Sequence, residues 1–248
     1  DLSDTSSARL SVQYKNYDYD DELVTRLVDF QSTRVQGRYS RRISDRNTAI
    51  FEVGGLWYDA DGGQRIDEDG DVVQVPDNDS FTYGFQAGLQ RRLSETTRLI
   101  LLGGIGNSER AEGGSDVNYI GQVGLTRRLA TIRVLAQLQR RISGTGSGTL
   151  TTRDQINLTV TRQLSELLDA SLGLVAYTTD SIEEDTDFDE RTYVRLRSRF
   201  GWRLTRTLSL EANYRFALID REDDDESANS NAVTLWLRYR PNPTTISR

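Results

Sequence analysis

The sequence contains no cysteine, no histidine and no methionine. Disulfide bonds, thiol chemistry, imidazole bases and the commonest nitrogen and sulfur metal ligands are therefore excluded together. Catalytic triads that need histidine are excluded for the same reason. A glycosidase that uses only carboxylates stays open by composition, although no pair of acids stands out from the loops. We expect no cofactor, no metal site and no enzymatic activity.

Long apolar runs are also missing. The longest nearly apolar stretch, from Leu99 to Ile105, is far shorter than the ~20 residues that a transmembrane helix needs. A helical membrane protein is therefore excluded. The chain starts at Asp1 with neither an initiator methionine nor an apolar signal segment, so we expect a processed or trimmed form.

Lysine is nearly absent, because only one of the 31 basic residues, Lys15, is not an arginine. The planar guanidinium group, with five donors, suits carboxylates, phosphates and dense ion-pair networks. The formal net charge is −7, which argues against a nucleic-acid partner.

The stretch from Tyr193 to Leu204 alternates apolar and basic side chains. One side carries Val194, Leu196, Phe200 and Trp202, and the other carries Arg195, Arg197, Arg199 and Arg203. A period of two predicts a β-strand, whose side chains point alternately to opposite faces of a sheet. Similar alternation recurs along the chain and predicts about twelve strands, joined as consecutive antiparallel hairpins.

Short and long connections alternate between these strands. The short ones share a sequence motif that recurs at Arg41 to Ser44, Arg91 to Ser94, Arg162 to Ser165 and Trp202 to Thr205. The long ones are acidic or rich in glycine and serine, and the longest runs from Asp59 to Ser80. Its acidic segment does not fit the spacing of an EF-hand, and we interpret the acidic runs as solvated loop tips.

Two architectures fit the alternation. In a soluble β-protein the apolar face packs into a core, whereas in a membrane barrel it faces lipid and the polar face lines a lumen. Strands of about ten or more residues, with aromatic residues such as Trp57, Tyr193 and Trp202 towards their ends, favour the membrane barrel. The sequence therefore predicts an all-β, closed antiparallel up-and-down transmembrane β-barrel of about 12 strands. We expect short periplasmic turns, long acidic extracellular loops and a single domain over residues 1–248, with 241–248 as a tail.

The last predicted strand, from Val233 to Tyr239, has apolar residues at alternate positions and ends in an aromatic residue. It is similar to the terminal sorting signal of bacterial outer-membrane β-barrels, although Arg240 and eight further residues follow it. The chain as a pattern resembles these barrels, and in style the porin-like families associated with exopolysaccharide systems. The resemblance implies a monomer in the bacterial outer membrane, surrounded by lipid bilayer and lipopolysaccharide.

If the apolar face meets lipid, a large set of arginines faces the lumen. We take as pore-lining candidates Arg34, Arg38, Arg133, Arg195, Arg197, Arg199, Arg215 and Arg238. Like charges along a narrow passage select ions by sign, and arginine binds carboxylate, sulfate and phosphate groups. The sequence thus predicts passive passage of small anionic or saccharide solutes.

Four alternatives stay open at this point. The arginines can be neutralised by acids, and loops can plug the lumen. The barrel can also be a non-conducting structural or adhesion protein, or the barrel component of a polysaccharide export system.

Overall fold

The computed structural model describes residues 4–18, 28–66, 72–75, 77–110, 114–144, 150–182, 191–221 and 227–240. These residues form fourteen strands: β1 (Ser6–Tyr17), β2 (Phe30–Arg42), β3 (Asn47–Ala60), β4 (Gly63–Ile66), β5 (Val72–Val75), β6 (Asn78–Arg92), β7 (Thr97–Arg110), β8 (Ser115–Arg128), β9 (Ile132–Gly144), β10 (Leu150–Gln163), β11 (Leu168–Ser181), β12 (Arg191–Arg203), β13 (Leu208–Arg221) and β14 (Ala228–Tyr239). No helix in this part of the chain is long and apolar enough to cross a membrane.

Twelve of the strands form one antiparallel sheet in which each strand pairs with the strands of this sheet that precede and follow it in the chain, so that β3 pairs with β6. This confirms the predicted twelve-stranded up-and-down order. The remaining two, β4 and β5, form a separate hairpin inside the stretch that we expected to be a loop from Asp59 to Ser80. The acidic tips predicted for the other long connections, and the tail at 241–248, lie outside the described residues.

The recurring sequence motif at the short turns is explained by hydrogen bonds. At the β10–β11 turn, Ser165 Oγ accepts the backbone N–H groups of Leu167 and Leu168, at 3.2 and 3.1 Å. At the β12–β13 turn, Thr205 Oγ1 accepts the N–H groups of Thr207 and Leu208 in the same way. A short hydroxyl side chain at this position satisfies donors that the strand ladder leaves unpaired, which explains why serine or threonine recurs there.

The two faces of the sheet differ as the alternation predicts. On one face, large apolar side chains are well exposed, with Val12 65% and Val233 80% accessible, and Phe200 and Trp202 of β12 belong to this face. The other face carries the arginines. Residues of β1–β2 and of β12–β13, which lie near opposite ends of the sheet, line one common cavity on this second face. The sheet is therefore curled, and we call the arginine-bearing side the concave face.

The first and last strands are the two edges of the curled sheet. The expected closure of the barrel requires β1 to pair with β14, and among the described residues no such pairing is present. The structure therefore shows an open sheet.

The sheet is interrupted between β8 and β9. Their pairing ends at Gly121 and Arg140, although β8 extends back to Ser115 and β9 continues to Gly144. Beyond this point β9 and β10 stay paired with each other but turn inward. Leu138 and Ile142 lie on the same side of β9, yet Leu138 is 50% exposed and Ile142 only 5%. Leu150 of β10 is 2% exposed. We call residues 141–144 and 150–152 the folded-in end.

Candidate functional site

The strand registers and the two-residue alternation put the eight candidate arginines on the concave face. Arg34 and Arg38 are on β2, Arg133 on β9, Arg195, Arg197 and Arg199 on β12, Arg215 on β13 and Arg238 on β14. They do not form one cluster. They differ in whether a carboxylate neutralises them and in which residue lies opposite them on the neighbouring strand.

Two of the candidates are already paired with acids. Arg38 Nη1 lies 3.0 Å from a carboxylate oxygen of Glu52, which is buried. Arg199 contacts two carboxylates, that of Glu211 at 3.0 Å and that of Asp169 at 3.8 Å. The alternative that acids neutralise the arginines is therefore correct for Arg38 and Arg199.

Other arginines of this face lie directly opposite one another on neighbouring strands. Arg197 is paired in register with Arg215, and Arg141 with Arg153. None of these four forms an ion pair with a carboxylate of the described chain. Like charges directly opposite in a sheet destabilise it, so the arrangement is not explained by stability of the sheet.

The folded-in end fills part of the concave side with apolar groups. Ile142 and Leu150 pack with Leu56, Tyr58 and Phe30 in one buried cluster. Tyr58 is 1% exposed, and its ring lies so close to Gly144 that a β-carbon there would collide with it. Glycine is therefore required at 144 because the ring needs that space.

A single arginine ties this end to the opposite side of the sheet. Arg34 Nη2 on β2 donates a 3.0 Å hydrogen bond to the backbone carbonyl of Ile142 on β9. This candidate residue therefore has a structural contact that its sequence position did not indicate.

A cavity of about 400 Å³ lies between the folded-in end, β1–β2 and β11–β13. Three tyrosines line it, Tyr17, Tyr177 and Tyr193, and the rings of the last two stack with centroids 4.9 Å apart. The guanidinium carbon of Arg153 lies 4.3 Å from the centre of the Tyr177 ring, and that of Arg195 lies 5.9 Å from the centre of Tyr193. Our interpretation of Tyr193 as a membrane-interface aromatic is wrong, because it lies on the concave face, in register with Tyr177.

Among the residues described, no group of three or more acidic side chains is arranged to hold a metal ion. The acidic segments that carry most of the predicted loop charge lie outside these residues.

The chain is similar to known structures by fold, not by sequence. No family model and no curated protein sequence matches it. The copper transporter OprC aligns with a TM-score of 0.63 at 13% identity, over 97% of this chain and 48% of that one. A chain of the FpvAI–pyocin S2 complex aligns with a TM-score of 0.55 at 10% identity, over 96% and 42%. The chain thus spans about half the length of these two relatives.

The outer membrane channel DcaP of Acinetobacter baumannii aligns with a TM-score of 0.48 at 10% identity, over 95% of this chain and 97% of that one. The first two alignments show the fold. The chain has the all-β, antiparallel up-and-down fold of outer-membrane β-barrel proteins, and this fold supports the expected location in the bacterial outer membrane.

Proposed function

We propose that the chain is an outer-membrane channel with an arginine-rich lumen, through which anions and acidic saccharides pass passively. In the membrane, β1 pairs with β14 and closes the curled sheet, because unpaired strand edges cannot remain exposed to lipid. The residues 1–248 then form one barrel domain, without enzymatic activity, which functions as a monomer in contact with lipid and lipopolysaccharide.

The observation that carries the proposal is the set of arginines that lie opposite one another and pair with no carboxylate of the described residues. Arg197 and Arg215 are the clearest example, because each is at the same level on adjacent strands of the concave face. A row of unneutralised cations in a low-dielectric passage attracts anions and repels cations. An anion between the two guanidinium groups also removes their mutual repulsion.

Planar-bilayer recording under a KCl gradient tests this proposal. We expect a conductance whose reversal potential has the sign of anion preference, and we expect the double variant Arg197→Gln/Arg215→Gln to move it towards zero. Arg127→Gln is the matched control, since Arg127 lies on the outer face of β8. A cation-preferring current in the unmodified protein would contradict the proposal, and so would an equal shift in the control.

The apolar cluster of the folded-in end favours a second candidate, a non-conducting barrel. Tyr58 and Leu150 occupy space that a wide pore would leave open. Absence of current from correctly folded protein, together with unimpaired cell-surface attachment, would support a structural or adhesion role.

The link to polysaccharide export stays a prediction based on the sequence pattern. It would require that deletion of this chain lowers the amount of secreted polysaccharide, and a strain with normal secretion would refute it.

A further inference from the structure

We propose that the cavity between the folded-in end and the Tyr177–Tyr193 pair is a binding site for a carboxylated saccharide, such as a uronic acid unit. The inference rests on the proposed function, because it assigns to the channel a binding site for its solute. It is more specific than the proposed function, because it predicts saturable binding at named side chains.

The charged side chains that line the cavity within the described part of the chain are all basic. They are Lys15, Arg34, Arg153 and Arg191, and no described aspartate or glutamate lines it. Lys15, Arg34 and Arg153 form no ion pair with a carboxylate of the described chain. This contrasts with the level of the short turns, where Asp169 and Glu211 neutralise Arg199. Among the described residues, the part of the concave face near the long connections thus carries cations that a bound anion can neutralise.

The principal cation is held in a fixed orientation. The Arg153 guanidinium lies over the Tyr177 ring at 4.3 Å, and Tyr177 in turn stacks on Tyr193 with 29° between the ring planes. Contact with an aromatic face restricts the rotamers of a long side chain, so less conformational entropy is lost when a ligand binds. A planar fork of donors held in this way favours a planar carboxylate.

The remaining lining suits a solute rich in hydroxyl groups. Gln13, Ser32 and Thr179 add amide and hydroxyl groups around the same space. A volume of about 400 Å³ lies within the usual range of small-molecule sites, about 300–1,000 Å³. Carboxylate recognition by the cations and hydrogen bonding to hydroxyls by the neutral groups together describe a sugar acid.

Calorimetric titration of the full chain, refolded in detergent, tests the site. The probes are digalacturonate, the neutral disaccharide maltose and inorganic phosphate. We expect digalacturonate to bind saturably and more tightly than either of the others. Arg153→Gln should weaken its binding about tenfold or more, because hydrogen bonds to charged groups are among the stronger ones.

Two further variants separate the site from folding and from general charge. Arg153→Lys keeps the charge but loses the planar fork, so it should bind with intermediate affinity. Arg140→Gln removes an arginine from the outer face of β9, where it pairs with Asp154 at 3.6 Å, and should leave binding unchanged. Heat-modifiable mobility on gels, measured for each variant, confirms that the barrel is folded.

The outcomes distinguish this inference from the proposed function. Equal binding of phosphate or maltose, or equal weakening by Arg140→Gln, overturns the saccharide site. Anion-selective current without digalacturonate binding also overturns the site, but leaves the channel in place. Digalacturonate binding without any current supports the site and overturns the channel.

Discussion

Truncation of Tyr58 should widen the passage. Its ring is 1% exposed, packs on Phe30 with centroids 5.5 Å apart and lies against Gly144 of the folded-in end. Replacing a buried aromatic side chain with alanine typically costs about 3–5 kcal/mol. Since each 1.4 kcal/mol is tenfold, Tyr58→Ala should weaken the preference for the folded-in arrangement about a hundredfold or more.

The measurement is single-channel conductance in a planar bilayer. We expect Tyr58→Ala to conduct more than the unmodified protein, because β9 and β10 lose a buried apolar contact across the interior. Trp57→Ala is the control, since Trp57 is the preceding residue but lies on the outer face, 48% exposed. Equal conductance in all three proteins, each shown to be folded, would refute the conclusion that the apolar cluster narrows the passage.

Three other outcomes follow from the structure. Arg199→Gln should change the reversal potential less than Arg197→Gln does, since carboxylates already neutralise Arg199; an equal change would show that those ion pairs do not form. Leu150→Ala should lower the free energy of unfolding by about 2–5 kcal/mol in urea titrations, because the side chain is 2% exposed; a change near zero would mean that it is not buried. Ser165→Ala removes the acceptor for the N–H of Leu168 and should lower it by about 0.5–1.5 kcal/mol in the same assay.

The strand order could be predicted from the sequence because each hairpin carries its own information. Alternation fixes which side chains share a face, and the serine or threonine at four of the five short turns marks where the chain reverses. The basic side of Tyr193 to Leu204 therefore lies on the concave face as expected.

Which arginines are neutralised could be predicted only with the registers. Arg199 reaches Asp169 on β11 and Glu211 on β13 because Gly201 is in register with both acids. The registers follow from the positions of the predicted short turns after Leu164 and Leu204, since counting residues outward from each turn aligns β11, β12 and β13. Alternation alone does not give the registers, and it therefore does not distinguish Arg197 from Arg199.

The folded-in end could not be predicted from the sequence. Ile142 and Ile156 occupy equivalent positions in the alternation, yet Ile142 is 5% exposed and Ile156 47%. Ile142 turns inward against Gly106 of β7, where a β-carbon would approach its Cδ1 to 2.9 Å. This contact depends on two strands that are not neighbours, and no local pattern encodes it.

The pairing of each strand with its neighbours in the chain also determines the order in which the barrel can form. Every strand pair of the sheet closes a short segment of chain, so the hairpins can form one after another at low entropic cost. The hydrogen bond from Arg34 to Ile142 instead joins residues 108 positions apart. We therefore expect Arg34 of β2 to lack its acceptor, the carbonyl of Ile142, until β9 has been added. The apolar cluster of the folded-in end then forms late in assembly.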